Sequence, residues 1–204
     1  MPAPPARPEP FRPSAHGFAF TNAWPHQPAV RIGKLNIGNA GNGLCGGMVF
    51  AVLDYWLAGR RPPAEQPVGG APLFKFLVRR LIASWHLPVT GVRYYRWMLR
   101  DDADVAARTR REMAAIRESL ERGEPVPLGL VTTKSADPRR IGHNHQVLAY
   151  HIEEQTIHVY DPNHGQRDDV TIVVTPDGVR HNVAIGYPIR GFFRVGYQAR
   201  NPPL

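Results

Sequence analysis

The chain has 204 residues, enough for one domain with a real hydrophobic core. Apolar residues make up 43% and charged residues 21%, which excludes a disordered or low-complexity protein, and the 21 prolines and 19 glycines call for many turns. The formal charge of +8 is almost all arginine, spread along the chain and not gathered into one basic run, so the sequence points to a solvated basic surface and not to a nucleic-acid binder.

The first fourteen residues are proline-rich with little to pack, and read as a disordered arm. Residues 15–204 read as a single domain. Phe18, Phe20 and Trp24 suggest an extended segment docked on the body, and 33–47, rich in Gly and Asn, a loop. Residues 48–58 are apolar nearly all round and end at Gly59, which predicts a central buried helix. Further helices are expected over 73–84, over 92–99, and from about 102 to 122. Asp101, Asp102 and Asp104 would cap the last of these, and Val105, Met113, Ile116 and Leu120 form its apolar side.

After Pro125 the pattern turns to strands, over 126–131, 145–152, 156–161, 170–174 and 192–197. Helices first and strands second is an α+β order, predicting an antiparallel sheet of four to six strands.

There is a single cysteine, Cys45, so no internal disulfide can form and the thiol must be considered as a nucleophile. No apolar run approaches a membrane span, and the proline-rich start is unlike a Sec signal, so a cytoplasmic protein is expected. In Gly43-Leu44-Cys45-Gly46-Gly47, a flexible loop delivers Cys45 to the first turn of the buried helix. Free N–H groups and the helix dipole there favour thiolate, and the glycines would leave room for a substrate backbone.

A thiolate needs a proton-transfer partner. His145, opening a strand one hundred residues later, is the best placed, with His143 as its rival on the same face if the strand extends back. The next strand ends in Asp161-Pro162-Asn163. If residues 153–155 form the connecting loop, Asp161 lies across from Val147 on the face of His145, and Asn163 lies opposite His145 itself. Either could orient the imidazole, while a slip of one residue would turn both away. Asp161 is preferred because a carboxylate also stabilises the imidazolium.

Cys at the head of a central helix, His opening a strand and Asp-Pro on the next resembles the papain-like cysteine peptidase superfamily. The closest look is to its compact bacterial branch, the double-glycine leader peptidases of bacteriocin exporters. The resemblance spans residues 35–175 and rests on two short motifs. It implies a papain-like fold, no cofactor, a peptide or protein substrate, and a thioester mechanism with Cys45 as nucleophile, His145 as general base and acid, and Asp161 as orienter. That branch usually has a Gln six residues before its cysteine as oxyanion donor; here the position is Asn39, with Asn42 as rival.

Two other readings keep the same residues. A papain-like fold could serve as a binding module without catalysis. Alternatively His143, His145, Asp161 and His164 could hold a divalent metal for hydrolysis, nuclease chemistry included.

Overall fold

A computed structural model describes residues 9–24, 28–32, 35–39, 43–86, 89–183 and 188–204, the backbone alone for 28–32 and 35–39. The short helix α1 (Pro13–His16) is followed by a two-stranded antiparallel ribbon, β1 (Pro28–Ile32) and β2 (Leu35–Asn39). The four main helices come next: α2 (Cys45–Leu57), α3 (Pro72–Ser84), α4 (Val89–Met98) and α5 (Asp102–Glu121). The remaining strands are β3 (Val126–Val131), β4 (His145–Glu153), β5 (Thr156–Tyr160), β6 (Thr171–Thr175), β7 (Gly178–His181) and β8 (Gly191–Arg194). They form a six-stranded sheet in the order β7-β6-β5-β4-β3-β8, with every pairing antiparallel. The protein is therefore α+β, with an antiparallel sheet.

The helix α2 is apolar on all sides because it is buried on all sides, from Gly46 through Trp56. It lies against α3, and one face of the sheet joins the same core through Val131, Leu148, Tyr160 and Phe193. Gly47 makes the α2–α3 approach possible: a Cβ there would sit 2.2 Å from the Leu77 carbonyl oxygen. The opposite sheet face carries Leu128, Leu130, Val147, Ala149, Val159 and Phe192, and closes on Met113, Ile116 and Leu120 of α5. Helices thus cover both faces of the sheet. As the sequence predicts, the Asp101 carboxylate accepts from the Asp104 N–H at the start of α5, and Gly59 (φ 63°) and Gly123 (φ 73°) follow α2 and α5 in the left-handed region.

Three sequence expectations need correction. Residues 9–14 are not an unpacked arm: Phe11 is buried among aromatic rings and the Glu9 carbonyl accepts from the Trp56 indole. Residues 1–8 lie outside the described residues. The strand β7 was not anticipated, because four residues beside a turn carry too little periodicity to read. Within 33–47, expected to be loop, β2 is a strand, while Cys45 opens α2 as the sequence predicts.

Carboxylate chemistry also anchors the C-terminal segment. Asp54, inside α2, pairs with Arg80 of α3 at 2.7 Å, both side chains almost wholly buried. Asp54 also accepts from the Tyr197 hydroxyl at 2.6 Å and the Arg200 N–H at 2.8 Å. Arg80 lies over the Phe50 and Tyr197 rings and donates to the Gln198 carbonyl. Burial is the main influence on Asp54 and raises its carboxyl above the usual range.

Candidate active site

Cys45 is the first residue of α2 and is partly exposed, whereas the next eleven residues are buried. No side-chain hydrogen bond caps this helix start, so the positive end of its dipole falls on the thiol with no side-chain acceptor to offset it. The loop before it is fixed from a distance. The Asn22 side-chain oxygen accepts from the Leu44 N–H at 2.6 Å and from the Trp24 indole at 3.0 Å, while its amide donates to Asn163 at 3.1 Å. Gly43 (φ 90°) closes against the Asn22 amide, where a Cβ would sit 2.5 Å away. One asparagine therefore joins the cysteine loop to the turn after β5. Sequence reasoning missed it, since nothing local marks a contact across 22 residues.

Gly46 does not leave room for substrate, as the sequence suggested. Its open side is filled by Ser84 and by Gln146, whose amide donates to the Ser84 hydroxyl. The glycine lets α3 and β4 close on the start of α2 and so fixes the direction of Cys45.

His145 begins β4, is 9% exposed, and places Nε2 2.8 Å from Asp161 Oδ1. The Cys45 side chain is near enough to favour charge on the His145 ring, and with Nε2 held by the carboxylate, Nδ1 is the nitrogen left for sulfur. Tyr94, fully buried on α4, donates its hydroxyl to the His145 carbonyl at 2.8 Å. Gly129 makes space for that phenol: a Cβ would stand 2.6 Å from Tyr94 Oη.

The register of the β4–β5 hairpin differs from the sequence expectation in an instructive way. Its turn has two residues, Glu154 and Gln155, not three, so Glu153 faces Thr156 and His151 faces His158. A bulge at Tyr150 then shifts the pairing, giving Ala149 with Val159 and Leu148 with Tyr160. The two offsets cancel. Continued by one residue, the register sets Asp161 opposite Val147, on the strand face of His145.

Asp161 is 1% exposed and held from several sides. Oδ1 accepts from the Asn163 N–H at 2.8 Å as well as facing His145. Oδ2 faces Nε2 of His181 at 3.4 Å, and that imidazole is itself buried. At the other side of the ring, His181 Nδ1 lies against Val183, 3.1 Å from its carbonyl oxygen and 3.2 Å from its N–H. Nothing in the sequence singles out this histidine, because it enters on β7.

These contacts decide the charges. Burial works hardest against ionisation of both partners, yet the outcome is reversed by pairing. The Asp161 charge, the Cys45 sulfur and their hydrogen bonds hold His145 well above its ordinary value. His145, His181 and the Asn163 N–H hold the Asp161 carboxyl well below the usual carboxylate range.

The other residues singled out are less central. Asn163 is exposed and bonded to Asn22, and does not take the place of Asp161 beside His145. His143 is exposed at the end of a 3₁₀ turn (Pro138–His143), not on β4, and its carbonyl accepts from Thr132. The backbone of Asn39 pairs with Pro28 in the β1–β2 ribbon, and Asn42 lies outside the described residues. Among the described residues no three His, Cys, Asp or Glu side chains converge as a metal ligand set. His164 donates its N–H to the Asp161 carbonyl, which makes Asp161–Gly165 a turn as well as part of the site. Among the described residues, too, no helix is long and apolar enough to cross a membrane.

The chain was compared with protein-family models, with curated proteins and with solved structures, and no match was found in any of the three.

Proposed function

We propose that this protein is a cysteine hydrolase of papain-like layout, cleaving an amide, with a peptide bond as the favoured substrate. The observation that carries the reading is the Cys45–His145–Asp161 line: a half-buried thiol at a helix start, an imidazole whose charge that thiol favours, and a buried carboxylate 2.8 Å from the far ring nitrogen.

In this reading the His145 ring bears the proton and Cys45 reacts as thiolate. Sulfur attacks the amide carbon, and the carbonyl oxygen becomes an oxyanion. Backbone N–H at Cys45, with Asn39 as the proposed second donor, would receive that charge. His145 gives its proton to the leaving nitrogen as the C–N bond breaks, leaving a thioester and a free amine. Water then attacks the thioester carbon and loses a proton to the ring. The C–S bond breaks, releasing a carboxylic acid and restoring the ion pair. Asp161 stays ionised throughout, orients the ring and stabilises its charge.

The test is labelling of the single thiol by a small electrophile at neutral pH, read by intact mass. Wild type should gain one adduct rapidly, and His145→Ala should slow it by about 10²-fold or more. An unlabelled Cys45 in the folded wild-type protein would sink the proposal.

A further inference from the structure

In sequence the arginines are scattered; in the fold, several of them meet. A cleft of about 500 Å³ lies between α4 and α5. Its lining holds five arginines, Arg93, Arg96, Arg100, Arg108 and Arg111, against one carboxylate, Glu112. Internal pairing accounts for three of them. Arg93 pairs with Glu112, which is shared with Arg194, and Arg100 and Arg108 share Asp104. Arg96 and Arg111 are exposed, and neither makes an ion pair with the described residues.

The helix that presents this charge is unusual in a second respect. No residue of α4 is acidic, so no (i, i+4) carboxylate answers Arg96 along its own helix. Its cleft-lining row includes Val89 and Val92, which are 63% and 44% exposed. The cleft thus sets a cationic excess beside apolar side chains, a combination that suits a partner carrying carboxylates and an apolar group together.

We infer that the α4–α5 cleft binds an acidic polypeptide segment: carboxylates on the partner pair with Arg96 and Arg111, and an apolar side chain between them covers Val89 and Val92. Charge complementarity gives the sign of the partner, and planar guanidiniums suit bidentate carboxylate recognition. The apolar row favours a peptide over a nucleic acid. Trp97, the aromatic residue of the lining, is 5% exposed and packed on Phe193, which leaves no free ring on which a base could stack. This inference does not depend on the hydrolase reading, since it uses none of that site's residues.

The experiment is fluorescence anisotropy with a labelled peptide of alternating Glu and Leu, measured on wild type, Arg96→Glu/Arg111→Glu and Arg180→Glu. Arg180 is exposed on β7, at the far edge of the sheet. Circular dichroism confirms that the variants fold. The double variant should weaken binding by about tenfold or more, while Arg180→Glu should stay within about twofold. Binding should also weaken as salt rises. Three outcomes overturn the inference: unchanged binding by the double variant, equal binding of the same peptide with Gln for Glu, or tighter binding of a single-stranded oligonucleotide of equal charge that the double variant abolishes.

Discussion

Replacing Asp161 by Asn changes little in shape and much in charge. The carboxylate is fully enclosed and the His145 side chain nearly so, with relative exposures of 0% and 11%. Breaking a buried pair of this kind costs about 3–5 kcal/mol. Asn keeps one acceptor oxygen, so the lower end applies, and about 3 kcal/mol corresponds to about 10²-fold in the protonation equilibrium of the ring. The sign follows from the raised value of His145. The contribution of the charged ring is complete below the unfolded histidine range and is lost as pH rises through the higher folded value. Asp161→Asn lowers that folded value, so the loss occurs at lower pH. Alkylation of Cys45 by iodoacetate, whose charge favours the imidazolium form, is the assay. The alkaline limb of its pH profile should move toward acid, and on the alkaline side of the wild-type limb the rate should fall by about 10²-fold, with a smaller loss at pH 7. Superimposable wild-type and Asp161→Asn profiles would refute the reasoning.

Other changes have equally definite outcomes. His181→Asn removes the imidazole that stands 3.4 Å from Asp161 Oδ2 and that helps hold the carboxyl low; a shift of the same limb in the same direction, smaller than that of Asp161→Asn, is expected. An unshifted limb would mean that His181 only packs. Gly129→Ala drives a methyl against Tyr94 Oη and should cost about 1–3 kcal/mol in urea unfolding, whereas Tyr94→Phe should cost only about 1 kcal/mol; equal costs would show that the crowding is relieved without loss. Asp54→Ala leaves Arg80 buried without its partner and should destabilise by about 3–5 kcal/mol, while the double change Asp54→Leu/Arg80→Met should cost clearly less than the sum of the single changes, as chemical denaturation would reveal.

Much of the architecture was legible because its signals are local. The all-round apolar run of α2, the acidic start of α5 and the alternating strands after Pro125 each reflect one element meeting one environment. The residues of the candidate site were legible for another reason: the thiol is single, and the His and Asp-Pro that follow it are chemically specific and fall on neighbouring strands. What escaped notice depends on distant partners. Asn22 acts on Leu44 and Asn163, His181 acts on Asp161 from an edge strand, and Phe11 and Glu9 pack on Tyr160 and Trp56. The space at Gly46 was assigned to substrate because a sequence shows a missing side chain but not the neighbour that fills its place.

The bulge at Tyr150 insulates the site from the hairpin tip. Past it, Ile152 is buried beside Ile157 while His151 and Glu153 face solvent. Had the turn taken three residues and the bulge vanished, Ile152 would pair with Thr156 and rotate out of the core, yet Ala149 would still meet Val159 and Asp161 would still lie opposite Val147. In register terms, a one-residue offset in the distal half leaves the proximal pairs unchanged. Exchanging the polarity of positions 151 and 152 is therefore a route to a regular, unbulged hairpin that keeps the carboxylate beside His145. Variation in length or sequence at the tip is confined there, and the two halves of one strand pair are free to diverge separately.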